Sequence, residues 1–190
     1  MFREVFRKVI ALASQPQKTW ETLVGEGENE EHEKFLSNFV YPLIGLVAVA
    51  AFVGVLFSRR EFDVELALKA SVRDLASSLF GFFLASYFLN ELWGNFFNRD
   101  KDSKLCQRFI GYSSSLMFVL NIVLALLPEF FFLRIFVLYI VYIVWEGAVS
   151  YMKVEDSERL KFTGITSALI IVAPVVIRIV LVMLMPGLHF

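Results

Sequence analysis

The sequence is poor in the residues on which most protein chemistry depends. Of its 190 residues one is cysteine and two are histidine. Cys106 alone excludes an internal disulfide framework and leaves no CxxC or Cys/His spacing for zinc. His32 and His189 stand near opposite ends of the chain, so imidazole acid–base chemistry is thinly supplied. No GxSxG, HExxH, Walker loop or dinucleotide GxGxxG occurs. What remains is hydroxyls and isolated carboxylates, without a tuned base beside a nucleophile. These absences argue against an enzyme, and neither a metal site nor a cofactor is implied. A charge excess is missing too: 18 Lys and Arg face 19 Asp and Glu, so nothing in the total points to nucleic acid or an acidic substrate.

What the chain has is apolar length. Hydrophobic residues make up 57% of it and the mean hydropathy is +0.64, above the roughly half-apolar composition of a soluble globular chain. Five apolar runs, near 38–58, 72–93, 108–127, 129–151 and 162–185, each have the ~20 residues a helix needs to cross about 30 Å of hydrocarbon. Backbone groups in lipid must be satisfied internally and the runs lack strand alternation, so the spacing predicts helices. The expected fold is an all-α integral membrane bundle of five transmembrane helices, with residues 1–37 as an N-terminal segment and 38–190 as the membrane domain. Only Pro128 and Glu129 separate runs three and four, which predicts a tight antiparallel hairpin.

Basic residues set the expected orientation. Arg3, Arg7, Lys8, Lys18 and Lys34 precede the first run; Arg99, Lys101, Lys104 and Arg108 follow the second; Lys153, Arg159 and Lys161 follow the fourth. Against these 12, the other side has 3: Arg59, Arg60 and Lys69. Arg73, Arg134 and Arg178 fall inside helices and are left out of the count. The N-terminus is therefore expected in the cytoplasm and the C-terminus across the membrane.

The opening MFREVFRKVIALAS is too short in its apolar core for a signal peptide. At helical spacing over 1–13, Phe2, Val5, Phe6, Val9, Ile10 and Ala13 share one face, and Arg3, Glu4, Arg7 and Lys8 the other. That stripe fits a helix in the headgroup layer or one packed on the protein's own helices. SQPQKTWETLV restarts a helix over 16–24, with Pro16 in its first turn and Trp20 as an interfacial ring. Phe2, Phe6 and Trp20 are thus the expected membrane-surface anchors. GEGENEEHEK, over 25–34, reads as a solvated acidic linker, or as a loose divalent-cation site using Glu28, Glu30, Glu31, His32 and Glu33.

Polar residues inside the spans are candidates for function. Tyr139, Tyr142, Glu146 and Ser150 line one face of the fourth helix. Thr163, Ser167, Pro174 and Arg178 form a stripe on the fifth, Asp74, Ser78, Gly81 and Ala85 lie on the second, and Gly111 to Ser115 open the third. Such stripes serve either a polar interior or close helix packing. Glu146 lies ~10 Å from the loop at Lys153 by helical rise, near the interface rather than the midplane. It either meets water, Tyr112 or a basic loop residue, or builds a pocket with Tyr112 and Tyr142. Arg178 is expected ~12 Å below Pro186 and about 17 Å from Glu146 in depth, with Asp74 as its partner and Glu129 in reserve.

A short amphipathic start, Pro16 followed by Trp20 in ASQPQKTWETL, five spans, and Gly111, Tyr112 and Ser113 in CQRFIGYSSSLMFVL resemble the Yip domain family, bacterial members in particular. The resemblance covers nearly the whole chain. It implies an N-in, five-span protein of the bacterial cytoplasmic membrane without enzymatic activity, which associates with itself or with other membrane proteins. Eukaryotic relatives are linked to Rab-type GTPases. This chain lacks their long cytosolic N-terminal region, so GTPase binding is not carried over. The expectation is a membrane-organising or adaptor protein embedded in the lipid bilayer. The rivals are a small channel or carrier using Glu146 or Arg178, and a lipid-handling protein.

Overall fold

The computed structural model describes residues 2–29, 31–58 and 63–184, with backbone alone at 26–29 and 58. Arg59, Arg60, Glu30, His189 and the C-terminal PGLHF lie outside the described residues, as does the side chain of Glu28. Every regular element among those described is helical.

α1 (Phe2–Ser14) ends where the Ser14 hydroxyl turns back to donate to the Ile10 carbonyl at 2.7 Å. Pro16, which has no N–H to lose, opens α2 (Pro16–Asn29). The acidic linker expected over 25–34 is mostly helix: α2 runs through Gly25 and Gly27, and α3 (His32–Phe57) begins at once. α3 widens into a π-helical turn at Leu36–Val40, just before Pro42, whose missing N–H leaves the Asn38 carbonyl without its helical donor.

α4 (Val64–Asn95) and α5 (Ser103–Leu126) start at carboxylate caps. Asp63 accepts from the Leu66 N–H and Asp102 from the Leu105 N–H, each at 2.9 Å. These caps explain why the helices begin earlier than the apolar runs: each starts the helix ahead of the charged residues, Glu65 and Lys69 in α4 and Lys104 and Arg108 in α5, that interrupt the hydropathy. α4, at 32 residues, is ~48 Å long and so projects beyond ~30 Å of hydrocarbon.

α6 (Pro128–Ser150) follows α5 almost directly, giving the expected hairpin. Its first half, Pro128–Leu138, is wound in 3₁₀ turns broken by a kink at Phe130 (φ −83°, ψ 29°) and buries no residue; its second half, Tyr139–Ser150, is regular α-helix. After a turn in which Lys153 takes a left-handed φ of 54°, α7 (Asp156–Leu184) completes the fold.

Five of these helices, α3 to α7, are long and apolar enough to cross a membrane. α4 packs on α3, α5 and α7, and α3 also on α5. Close approach is bought with glycine at two crossings: a Cβ on Gly54 would collide with the Ala125 carbonyl, and one on Gly81 would lie 2.7 Å from Pro174 Cγ. The second half of α6 packs on α7, whereas its first half packs on α5. Contacts between α6 and α7 are thus concentrated in the half of α6 nearer the N-terminal hairpin. α1 and α2 form a hairpin against the near end, α1 on α5 and α2 on α6. Exposed Phe57, Phe80, Phe131, Ile135, Leu138, Val172 and Met183 give the bundle the apolar exterior that lipid requires.

Candidate functional site

The N-terminal hairpin end is where the chain concentrates its specific contacts, and Trp20 is their centre. Gly147 leaves a gap in α6, and the indole fills it: a Cβ there would lie 2.6 Å from Trp20 Cε2 and 2.7 Å from Phe109 Cε2. The Trp20 Nε1–H donates to the Ile143 carbonyl at 2.9 Å. Its ring stacks on Phe109 at 5.1 Å and meets Tyr151 at 5.2 Å and Tyr112 at 6.1 Å. At 0% exposure, this tryptophan sits in the core rather than among lipid headgroups. Tyr139, whose hydroxyl donates to the Ala13 carbonyl at 2.9 Å, ties down the turn between α1 and α2.

α1 carries two apolar stripes. Val5, Val9 and Leu12 are buried against the bundle, while Phe2, Phe6 and Ile10 are exposed one helical turn apart. The structure thus separates the three expected anchors: Phe2 and Phe6 face outward, and Trp20 faces inward.

It also separates Tyr112, Tyr142 and Glu146. Tyr112 is buried against Phe35 at 4.9 Å and Phe39 at 4.8 Å, with the Lys8 ammonium 5.9 Å from its ring. Tyr142 is 45% exposed and tilts against Tyr139. Glu146 meets Arg159 of α7 at 3.8 Å. The guanidinium also lies over the Trp145 ring, 4.1 Å from its centroid, and donates twice to the Trp145 carbonyl at 3.1 and 2.9 Å. Glu146 is therefore one side of a clamp between α6 and the first turn of α7. Arg159 escaped the sequence reading because it was counted only as a topology marker. The basic loop residue expected near Glu146 was the available signal.

The same end holds a cavity of about 840 Å³ lined by Glu31, His32, Glu33, Asp102, Lys104, Arg108 and Lys153, with Val24, Leu105 and Tyr151 as its apolar wall. His32 Nε2 lies 2.6 Å from the Gln107 side-chain oxygen. Glu31 is paired with Lys34 at 3.1 Å, and no group of His, Cys, Asp and Glu suited to a metal occurs among the described residues. A second groove of about 390 Å³ between α1 and α2 is lined by Arg7, Lys8 and Lys18 with Gln15, Thr19 and Thr22.

At the opposite end, Asp74 is turned to its neighbour Arg73, with Nε–Oδ1 at 2.7 Å. Arg178 lies within electrostatic reach of Asp74 but forms no ion pair with it. Adjacency on one helix gave Arg73 the shorter reach.

The span hydroxyls are buried between helices: Ser113, Ser114, Ser115, Thr163, Thr166 and Ser167 are all at most 3% exposed. Small side chains there allow close helix approach. The arrangement as a whole clamps helices together and presents charged surface at one end.

No curated protein and no solved structure matches the chain. The Yip1 domain model matches residues 10–184, a range that takes in Trp20, Gly147, Arg159 and all five apolar helices, and the chain belongs to the Yip1 domain family.

Proposed function

We propose that this chain is a non-enzymatic membrane adaptor, whose N-terminal hairpin and adjoining cavity form a docking platform on the cytoplasmic face. The observation that carries this reading is the hairpin's fixed seat. Trp20 and Tyr139 bind α1 and α2 to α6, so a largely charged cavity and an exposed Phe2, Phe6 and Ile10 stripe are held in constant relation to each other. A surface held rigid before binding loses less entropy when a partner docks. The mixed signs of Glu31, Glu33, Asp102, Lys104, Arg108 and Lys153 suit a partner protein of complementary charge pattern rather than a simple ion. The 12-to-3 distribution of basic residues supports the cytoplasmic placement.

Transport is the rival. The carboxylate a carrier would use, Glu146, is engaged by Arg159, which favours the adaptor.

A photo-crosslinker placed at Lys104 in native membranes tests the reading. The same crosslinked partner should be captured by wild type and lost in Trp20→Ala, which frees the platform without removing it. Solute or ion flux in proteoliposomes that is abolished by Glu146→Gln would overturn it.

A further inference from the structure

The groove of about 390 Å³ between α1 and α2 takes no part in the clamp at Arg159 or in the larger cavity. Arg7, Lys8 and Lys18 line it, and among the described residues no carboxylate does. Glu4 stands one turn before Arg7 and Glu21 one turn after Lys18, yet neither lines the groove or forms an ion pair among the described residues. Glu26 and Glu28, whose side chains lie outside the described residues, follow Lys18 by 8 and 10 positions, ~12 and ~15 Å along α2. Arg7 and Lys18 are exposed and have no ion-pair partner among the described residues. Thr19 and Thr22 donate their hydroxyl protons to the Gln15 and Lys18 carbonyls, at 2.8 and 3.0 Å. What the groove offers a ligand is therefore cations and the Gln15 amide, which suit an anion.

The seat of the hairpin sets the depth of this groove. On α6 the interface is marked by Glu146 with Arg159, whose guanidinium covers the Trp145 ring. Tyr139, which holds the Ala13 carbonyl at the hairpin tip, precedes Glu146 by seven residues and so lies ~10 Å deeper. The Lys8 ammonium is 5.9 Å from the Tyr112 ring, and Tyr112 meets Trp20, which is bonded to the Ile143 carbonyl. That level is ~5 Å below Glu146. The groove thus lies between the charged pair and the tip, among headgroup phosphates rather than out in water.

Apolar surface adjoins it at the same depth. Phe2, Phe6 and Ile10 are exposed along α1, and Ile10 stands one turn from Arg7. A basic groove beside an apolar helix face at the headgroup level matches an amphiphile with an anionic head.

We infer that Arg7 and Lys18, with Lys8, hold the phosphate of an acidic phospholipid of the cytoplasmic leaflet in the α1–α2 groove, its acyl chain lying along Phe6 and Ile10. The inference rests on the hairpin's seat and divides the proposed platform. The groove and the outward face of α1 take lipid, while the cavity at Lys104, which shares no described lining residue with the groove, is left to the partner protein.

Full-length protein purified in detergent is offered phosphatidylglycerol, phosphatidylcholine or inorganic phosphate, and retention is read by native mass spectrometry. Wild type should retain phosphatidylglycerol in preference to phosphatidylcholine, and inorganic phosphate in excess should not displace it. Arg7→Gln and Lys18→Gln should each weaken that retention by about fivefold, and the two together by more than about tenfold, as for loss of basic groups beside an anionic head. Lys161→Gln, which removes an exposed cation at the same end of the bundle, should leave it unchanged. Because Arg7 and Lys18 are exposed, their variants should keep the wild-type melting temperature, which separates lost binding from misfolding. Equal retention of phosphatidylglycerol by wild type and the double variant would overturn the inference. Displacement by inorganic phosphate would do the same, assigning the groove to a soluble anion. The crosslink from Lys104 should persist in the double variant; its loss with lipid retention unchanged would assign the groove to the partner protein instead. Selective lipid retention in a wild type that yields no crosslink would sink the adaptor reading and leave this one standing.

Discussion

Replacing Trp20 with alanine isolates the contact on which the hairpin's seat depends. The substitution removes a fully buried indole, its hydrogen bond to the Ile143 carbonyl and its ring contacts with Phe109, Tyr112 and Tyr151. Truncation of a buried Trp costs ~3–5 kcal/mol. The five long helices retain their own packing, so this cost should fall on docking of α1 and α2 rather than on the bundle. At 1.4 kcal/mol per tenfold, the undocked population should rise by about 10²- to 4 × 10³-fold. Cys106 provides the readout. It is the sole cysteine, it is buried, and it lies one helical turn from Phe109, against which Trp20 stacks. Maleimide labelling of Cys106 in membranes should accelerate strongly in Trp20→Ala. In Trp20→Phe, which keeps an aromatic ring and loses the N–H donor, a loss of ~1 kcal/mol should give a smaller increase. If all three proteins label at the same slow rate, Trp20 does not hold the hairpin and the argument from its burial fails.

Other consequences are open to simpler measurements. Gly147→Ala should weaken hairpin docking by ~1–3 kcal/mol through overpacking, since the new methyl would meet Trp20 and Phe109; protease sensitivity of residues 1–29 reads it. Tyr139→Phe, which loses only the hydrogen bond to Ala13, should cost about 1 kcal/mol in the same assay. Glu146→Gln should change thermal stability by less than ~1 kcal/mol, because its partner is 3.8 Å away and both side chains keep some solvent contact. Arg159→Gln should cost more than Glu146→Gln, as it also breaks the Trp145 ring and carbonyl contacts. Lys153→Gly should raise the melting temperature, since glycine takes the left-handed turn without the Cβ strain of ~1–2 kcal/mol.

The spans were legible because apolar length is a direct consequence of bilayer thickness, and nothing else in the chain imitates it. Helix starts were less so. Val64 to Ser71, outside the expected run at 72–93, is broken by Glu65 and Lys69, yet Asp63 caps it into helix. The candidate site was legible in part. Glu146 was expected near the interface within reach of a basic residue, and Arg159 supplies that contact. Trp20 was read as a headgroup ring because a surface-helix tryptophan so often is one. The missing information was tertiary: the gap at Gly147 lies 127 positions away in sequence and becomes a socket only when α6 passes beside α2. Arg178 was expected to pair with Asp74, but Arg73, next to Asp74 on α4, takes that carboxylate instead.

The most direct test of the account is whether the two ends of the chain lie on opposite sides of a bilayer, as an odd number of crossings by α3 to α7 requires. Protease-cleavable tags at residues 1 and 190, presented in sealed inverted membrane vesicles, measure this. Five crossings predict that one tag is cleaved from outside and the other only after detergent is added, with the N-terminal tag the accessible one. Cleavage of both tags in intact vesicles, or protection of both, would contradict the five-span account.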